Sequence, residues 1–181
     1  LVLAMEILLN SDKIADCTAD LVKAICSQVK NGDKIAVVGI RSRGEILAKR
    51  LTELLSKKLK SEIPCGTLDI TLYRDDLNDP HGSSQPFVRS TEIEFDINGK
   101  IIILVDDVLH TGRSTRAAMD ALIDLGRPEA IRLAVLVERT GREFPIQSDF
   151  AGIKINLPAG KSVQVNFIES DGKDEVAIIT D

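Results

Sequence analysis

The chain has no tryptophan, one tyrosine and five phenylalanines among 181 residues. A core with so few aromatics has to be assembled from Val, Ile, Leu and Ala. Basic residues are also in deficit, 23 Lys and Arg against 28 Asp and Glu, for a formal net charge of −5. That balance excludes a protein whose main role is non-specific nucleic-acid binding, because neutralising phosphates needs a positive field; a local basic patch is still allowed. The three cysteines, Cys17, Cys26 and Cys65, are odd in number and show no C-x-x-C spacing. They read as reduced packing residues of a cytosolic protein rather than a disulfide framework or a metal site. No apolar run approaches the roughly 20 residues that span a bilayer. The apolar opening Leu1-Val2-Leu3-Ala4 lacks a basic leader and is interrupted by Glu6, so the expectation is a cytoplasmic chain without a membrane partner. Neither Gly-x-x-x-x-Gly-Lys-Ser/Thr nor Gly-x-Gly-x-x-Gly occurs, which excludes a P-loop and a dinucleotide fingerprint.

What is present is an apolar fraction of 44% and a charged fraction of 28%, the composition of a globular domain, and a length that fits one domain over residues 1–181. Residues 3–9 read as a short strand or a lead-in. Ser11 or Asp12 caps a helix to about residue 30, with Ile14, Leu21, Ile25 and Val29 at helical spacing. Residues 35–40 are continuously apolar and β-branched, as in a strand buried on both faces of a parallel sheet. Arg41-Ser42-Arg43-Gly44 forms a turn before a helix from 45 to about 60, and residues 65–73 read as another strand. Residues 75–90 are polar and rich in turn formers, and a loop this long is usually functional. A strong strand at 101–105, a connection at 106–114, a helix at 115–125 and a buried strand at 131–137 follow, with short strands and turns from about 153. This alternation predicts an α/β fold with a mostly parallel central sheet flanked by helices.

The informative segment is Ile101-Ile102-Ile103-Leu104-Val105-Asp106-Asp107-Val108-Leu109-His110-Thr111-Gly112-Arg113-Ser114-Thr115. An apolar strand ends in two adjacent acids, and a loop of small and hydroxyl residues then opens a helix. Ligands of open parallel sheets bind at the carboxyl ends of the strands. A helix start with small residues offers free backbone N–H groups and a favourable dipole for an anion. Gly112 permits close backbone approach, and Thr111, Ser114 and Thr115 add hydroxyl donors. Asp106 and Asp107 repel an anion, but they suit sugar hydroxyls or a nearby cation. Phosphate on one side and hydroxyls on the other describe a phosphorylated sugar.

The order apolar strand, Asp-Asp, three residues, Thr-Gly, one residue, Ser-Thr resembles the PRPP-binding signature of type I phosphoribosyltransferases. The segments 38–44, 69–77, 117–122, 126–128 and 133–139 are similar to the PyrR family, whose members make UMP from uracil and PRPP and many of which bind the leader of pyrimidine messenger RNA. The resemblance implies that Thr111–Thr115, with Val108, Leu109 and His110 in the same loop, cradle the 5′-phosphate, and that Asp106 and Asp107 hold the ribose hydroxyls. It implies that Arg41, Ser42 and Arg43 form a pyrophosphate loop, with Arg43 joining the two acids in catalysis. Arg74 and Arg89 are further candidates for pyrophosphate within a loop at 74–90 that closes over substrate. Arg139 is a candidate contact to base or nucleotide, and backbone near Val163 a candidate reader of uracil's edge. A hood from about 153–181, with an N-terminal contribution, covers the base. His110 contacts ligand or fills the space that relatives often give to Tyr. Mg²⁺ is expected to arrive with PRPP, with no protein ligand to the metal assigned. PRPP, uracil and UMP are the implied partners, and a homodimer or higher assembly is implied. Two alternatives stay open: an RNA-binding attenuation regulator that senses uridine nucleotides, and a transferase for another base. Against the first, Ala15, Asp16, Ala19 and Asp20 in the first helix, and Gly141, Gln147 and Ala159 later, stand where RNA-binding members tend to be more basic.

Overall fold

A computed structural model describes residues 5–29, 34–75 and 90–180 of the chain. In chain order the elements are β1 (Met5–Leu9), α1 (Ser11–Gln28), β2 (Ile35–Ile40), α2 (Arg43–Leu59), β3 (Cys65–Leu68), β4 (Ile101–Leu109), α3 (Arg113–Leu125), β5 (Ala130–Arg139), β6 (Phe150–Ile155), β7 (Lys161–Asn166), the one-turn α4 (Ile168–Asp171) and β8 (Glu175–Thr180). Five strands form the main sheet in the order β3-β2-β4-β5-β6, all parallel, and β1-β8-β7 form a separate antiparallel sheet.

The expected α/β fold follows from the period-two burial of the central strands. Val37 pairs with Ile103, and both face the core filled by Ile14, Leu21, Leu47 and Leu51 of α1 and α2. Their neighbours Val38 and Leu104 face the opposite core, filled by Ala118 and Leu122 of α3. Every residue of β2 is buried, which explains its unbroken apolar run.

Several boundaries differ from expectation, each for a local reason. The cap of α1 is Asn10, in extended conformation, whose Oδ1 accepts from the Lys13 N–H at 3.0 Å; Ser11 and Asp12 are already helical. The strand expected at 65–73 stops at Leu68 because the Asp69 carboxylate captures the Thr71 N–H at 2.9 Å and its hydroxyl at 2.6 Å, turning the chain into a 3₁₀ turn over Thr71–Tyr73. Arg116 donates to the Tyr73 carbonyl at 2.8 Å and ties this turn to α3. Strand β4 runs past residue 105 to Leu109, since its ladder with β5 continues to the pair Leu109–Glu138. Residues 150–155, partly assigned to the hood, are instead the edge strand of the main sheet, held by β5.

We use hood for the small sheet β1-β8-β7 together with α4 between β7 and β8. Arg50 of α2 fastens the hood to the main domain. Its Nε and Nη2 donate to Glu169 at 2.8 and 2.6 Å, its Nη2 and Nη1 donate to Asp174 at 2.7 and 3.0 Å, and its guanidinium lies 4.8 Å from the centre of the buried Phe167 ring. Bidentate, partly buried pairs of this kind exceed ordinary surface ion pairs. Arg50→Ala is expected to cost about 2–3 kcal/mol and to lower Tm by roughly 5–10 °C in thermal denaturation, with Arg50→Lys recovering only part because an ammonium cannot make the paired contacts.

Candidate active site

The last residue of β4 that pairs with β2 is Val105, opposite Gly39. From Asp106 onward β4 projects beyond β2 and β3, and this step creates a cleft over their carboxyl ends. The cleft measures about 280 Å³ and is lined by Ile40, Arg41, Ser42, Arg43, Asp69, Ile70, Thr71, Arg74, Asp106, Asp107, Val108 and Ser114. A larger hollow of about 750 Å³ lies at the opposite end of β4 and β5, lined by residues such as Ile123, Pro128 and Ile131. It is mainly apolar and gathers only Arg127 as a charged side chain, so the chemistry is concentrated in the smaller cleft.

Where the β2 ladder ends, the two acids take over its hydrogen bonding. The Asp107 N–H donates to Asp106 Oδ1, and the Val108 N–H donates to Asp107 Oδ1, both at 2.9 Å. Burial and the adjacent Asp107 push the Asp106 carboxyl well above the usual carboxylate range. Close approach of α2 shapes this corner. A Cβ on Gly44 would stand 2.6 Å from the Val105 carbonyl oxygen and 3.1 Å from the Asp106 Cα.

The other wall is the turn from β4 into α3. Only His110, Thr111 and Gly112 separate strand from helix. Gly112 has φ 90°, a conformation that favours glycine, and a Cβ there would meet Phe144 at 3.1 Å. The helix start points its N–H groups toward the loop that holds Asp106, Val108, Thr111, Ser114 and Thr115 around a hollow of about 60 Å³. The Arg113 side chain is drawn aside by Glu143 and Asp75 and lies 5.1 Å from the centre of the Phe144 ring. It borders an adjoining hollow with Arg74, Asp75, Thr111 and Ser114.

Two arginines face the acids from the turn between β2 and α2, where the Arg41–Ser42 peptide bond is cis. Arg41 pairs with Glu92 at 2.8 Å and with Glu45 at 3.4 Å, and Arg43 pairs with Asp171 at 2.8 Å. The Nε atoms of both arginines are buried without a hydrogen-bond partner. Glu92 reaches Arg41 because its backbone bridges to Thr67 of β3.

A family model for the phosphoribosyl transferase domain matches residues 5–168 of this chain. The chain is 47% identical over 173 residues to the bifunctional protein PyrR of Deinococcus radiodurans, covering 94% of this chain and 92% of that one. It is 46% identical over 171 residues to the bifunctional protein PyrR of Thermus thermophilus, covering 94% and 93%. This chain belongs to the PyrR phosphoribosyltransferases. A hypoxanthine-guanine phosphoribosyltransferase from Bacillus anthracis has the same fold, with a TM-score of 0.72 at 14% identity over 99% of this chain and 100% of that one.

In this phosphoribosyltransferase the cleft brings together Arg41, Ser42, Arg43, Arg74, Asp106, Asp107, Val108 and Ser114 of the expected site. Leu109, His110, Thr111, Gly112 and Thr115 line its extension along the β4–α3 turn. Arg139 and Val163 do not line either. Arg139 ends β5 as expected, but its Nη1 donates to the Lys161 carbonyl at 2.8 Å and it borders a separate hollow with Arg142 and Lys154. Val163 sits in β7, paired with Ile178. Arg89 lies outside the described residues. The imidazole of His110 packs against Gly141, where a Cβ would come 2.5 Å from Nε2. Burial and Arg139 lower the pKa of His110, with Glu143 opposing them.

Asp69 and Thr71 in the cleft were missed, although Asp-x-Thr after an apolar strand is a turn signal. The acids that hold the arginines, Glu92 and Asp171, carried no local signal, because their partners are 51 and 128 residues away. Among the described residues no helix is long and apolar enough to cross a membrane.

Proposed function

We propose that the cleft binds PRPP and transfers its phosphoribosyl group to uracil, giving UMP and pyrophosphate. The observation that carries this reading is the carboxylate pair Asp106–Asp107, two residues before the three-residue turn that leads directly into α3, with both acids and Ser114 of the helix start lining one cleft. Backbone N–H groups of Thr111–Thr115 and the Ser114 and Thr115 hydroxyls take the 5′-phosphate. Asp106 and Asp107 accept from the ribose 2′- and 3′-hydroxyls. Arg41, Arg43 and Arg74 meet the pyrophosphate, whose negative charge grows as the C1–oxygen bond breaks and its electron pair leaves with the oxygen. The uracil N1 supplies the new bond to C1 and loses its proton. Arg139 and β7, which meet at the Lys161 carbonyl outside the cleft, are the part of the carboxyl edge that we assign to the base. No side-chain nucleophile is needed.

Asp106 and Asp107 fit a divalent cation that comes with the substrate. They are hard oxygen donors that repel each other, and no third acid or imidazole joins them among the described residues. Mg²⁺ prefers one or two carboxylates plus substrate phosphates over an all-protein cage. It would neutralise charge on the phosphates, and these two acids would be the residues to hold it.

A pH dependence follows. The raised pKa of Asp106 means that the free pair retains a proton to higher pH than a solvated acid. Hydroxyl recognition needs carboxylates, so PRPP binding releases that proton. Affinity for PRPP with Mg²⁺ is expected to weaken as pH falls, and calorimetry in buffers of different ionisation enthalpy is expected to show proton release. Unchanged affinity and no proton release would contradict this assignment of the acids.

The function itself is tested by product formation from PRPP, Mg²⁺ and labelled uracil beside adenine, guanine, hypoxanthine and orotate. UMP as the dominant product is expected; turnover with another base alone would overturn the uracil reading. A second reading, recognition of pyrimidine leader RNA, is favoured by Arg139 and Arg142 beside one hollow of about 340 Å³, where Lys154 is already paired with Glu138 at 3.0 Å. Under it, binding of that RNA weakens with salt and with Arg142→Glu.

A further inference from the structure

We propose that Asp171, on the hood, is a positioning residue for Arg43 and thereby sets how the cleft handles pyrophosphate. This rests on the reading of the cleft given above and deepens it. The two residues are 128 positions apart, yet Asp171 Oδ1 accepts from Arg43 Nη2 at 2.8 Å. The other carboxylate oxygen is fixed from its own side: Oδ2 accepts from the Phe167 N–H at 3.0 Å and from the Ser170 hydroxyl at 2.6 Å. One oxygen is thus anchored and the other is aimed. The three donors hold the Asp171 carboxyl down at about 2, the Ser170 hydroxyl first among them, so the acceptor is charged at any working pH.

The anchor is itself rigid. Phe167 is fully buried, and Arg50 holds Glu169 and Asp174 on either side of Asp171. Arg43 needs such support. Its Nε is buried without a partner, so no other hydrogen bond of that atom fixes the plane of the guanidinium in the cleft. A planar guanidinium meets a phosphate well only in the correct plane, and holding it there beforehand removes an ordering cost from the reaction. Asp171 does not line the cleft, and it acts through Arg43.

The test is a double-mutant cycle in steady-state kinetics on the full chain: Asp171→Asn, Arg43→Ala and both together, with Asp171→Glu alongside. Asp171→Asn is expected to lower kcat/KM for PRPP about tenfold and to leave KM for uracil within about twofold. In the Arg43→Ala background it is expected to change kcat/KM by less than about twofold, because the residue it positions is gone. Asp171→Glu, which keeps the charge, is expected to recover part of the loss. The same cycle is read independently as binding of inorganic pyrophosphate by calorimetry, where the same non-additivity is expected. An equal loss in both backgrounds would show a merely structural role and overturn the proposal, as would tighter PRPP binding by Asp171→Asn. If the wild-type chain transfers to no base, the reading of the cleft fails, and the pyrophosphate cycle alone decides the positioning role. A cycle that is additive in an active enzyme sinks the positioning role and leaves the reading of the cleft intact.

Discussion

Asp106→Asn combined with Asp107→Asn is expected to lower kcat/KM for phosphoribosyl transfer by about 10²- to 10⁴-fold while the protein stays folded. Each charged acceptor lost toward a hydroxyl is worth roughly 1.5–3 kcal/mol, so two together reach that range. Stability is expected to move the other way. The folded state raises the pKa of Asp106, so ionising it opposes folding above its ordinary pKa, and that opposition fades as pH falls. Asn keeps an oxygen for the Asp107 and Val108 N–H groups and removes two mutually repelling charges. At neutral pH, Tm is expected to be unchanged or higher. Activity lost with stability retained marks residues kept for chemistry. A variant that loses both would show instead that the acids serve the fold. Kinetics and thermal denaturation on the same preparation separate the two outcomes.

The second large effect is expected at Gly44. A methyl there would stand 2.6 Å from the Val105 carbonyl oxygen and 3.2 Å from Asp106 Oδ1. The first of these neighbours is backbone of the central strand, with β2 and β5 hydrogen-bonded on either side, so it has no flexible end that can yield. Gly44→Ala is expected to cost about 2–4 kcal/mol of stability, as overpacking does at its upper range. The first turn of α2 and the end of β4 must separate, and they carry Arg43 and Asp106. A displacement of this size between catalytic groups is worth about 10²-fold in rate, so kcat/KM is expected to fall by that factor even where the protein remains folded. Gly99→Ala is the control. Gly99, unlike Gly44, has positive φ, at 66°, and nothing lies within 4 Å of its Cβ position, so only the backbone cost of about 1 kcal/mol applies.

The parts of this molecule legible in sequence are those decided by neighbours in the chain. The unbroken apolar runs of β2 and β4 announced strands buried on both faces, and the acids at the end of β4 with the glycine and hydroxyls after it pointed to the residues that line the cleft. Misplaced boundaries trace to competition between local and distant partners. The acids after Val105 read as a loop because charged residues seldom sit in a central strand, yet pairing with β5 keeps that strand going to Leu109. Residues 153–155 read as hood because nothing in their composition says that β5 is their partner. In the other direction, the Asp69 side chain ended a strand that the apolar pattern would have continued. Arg41 and Arg43 were identifiable as arginines near a turn, with Glu45 a local partner of Arg41, but the other carboxylates paired with them come from residue 92 and from the hood. Ion pairs across such distances are products of the fold and leave no spacing to read.

The most direct test of the central claim, that a phosphorylated sugar sits between the carboxylate pair and the start of α3, is hydrogen–deuterium exchange with and without PRPP and Mg²⁺. The account predicts slowed exchange at residues 106–115 and 41–44, with the apolar hollow around Ile123 and Pro128 unchanged. Protection confined to that hollow, or to residues 138–142, with 106–115 exchanging as in the free protein, would contradict it.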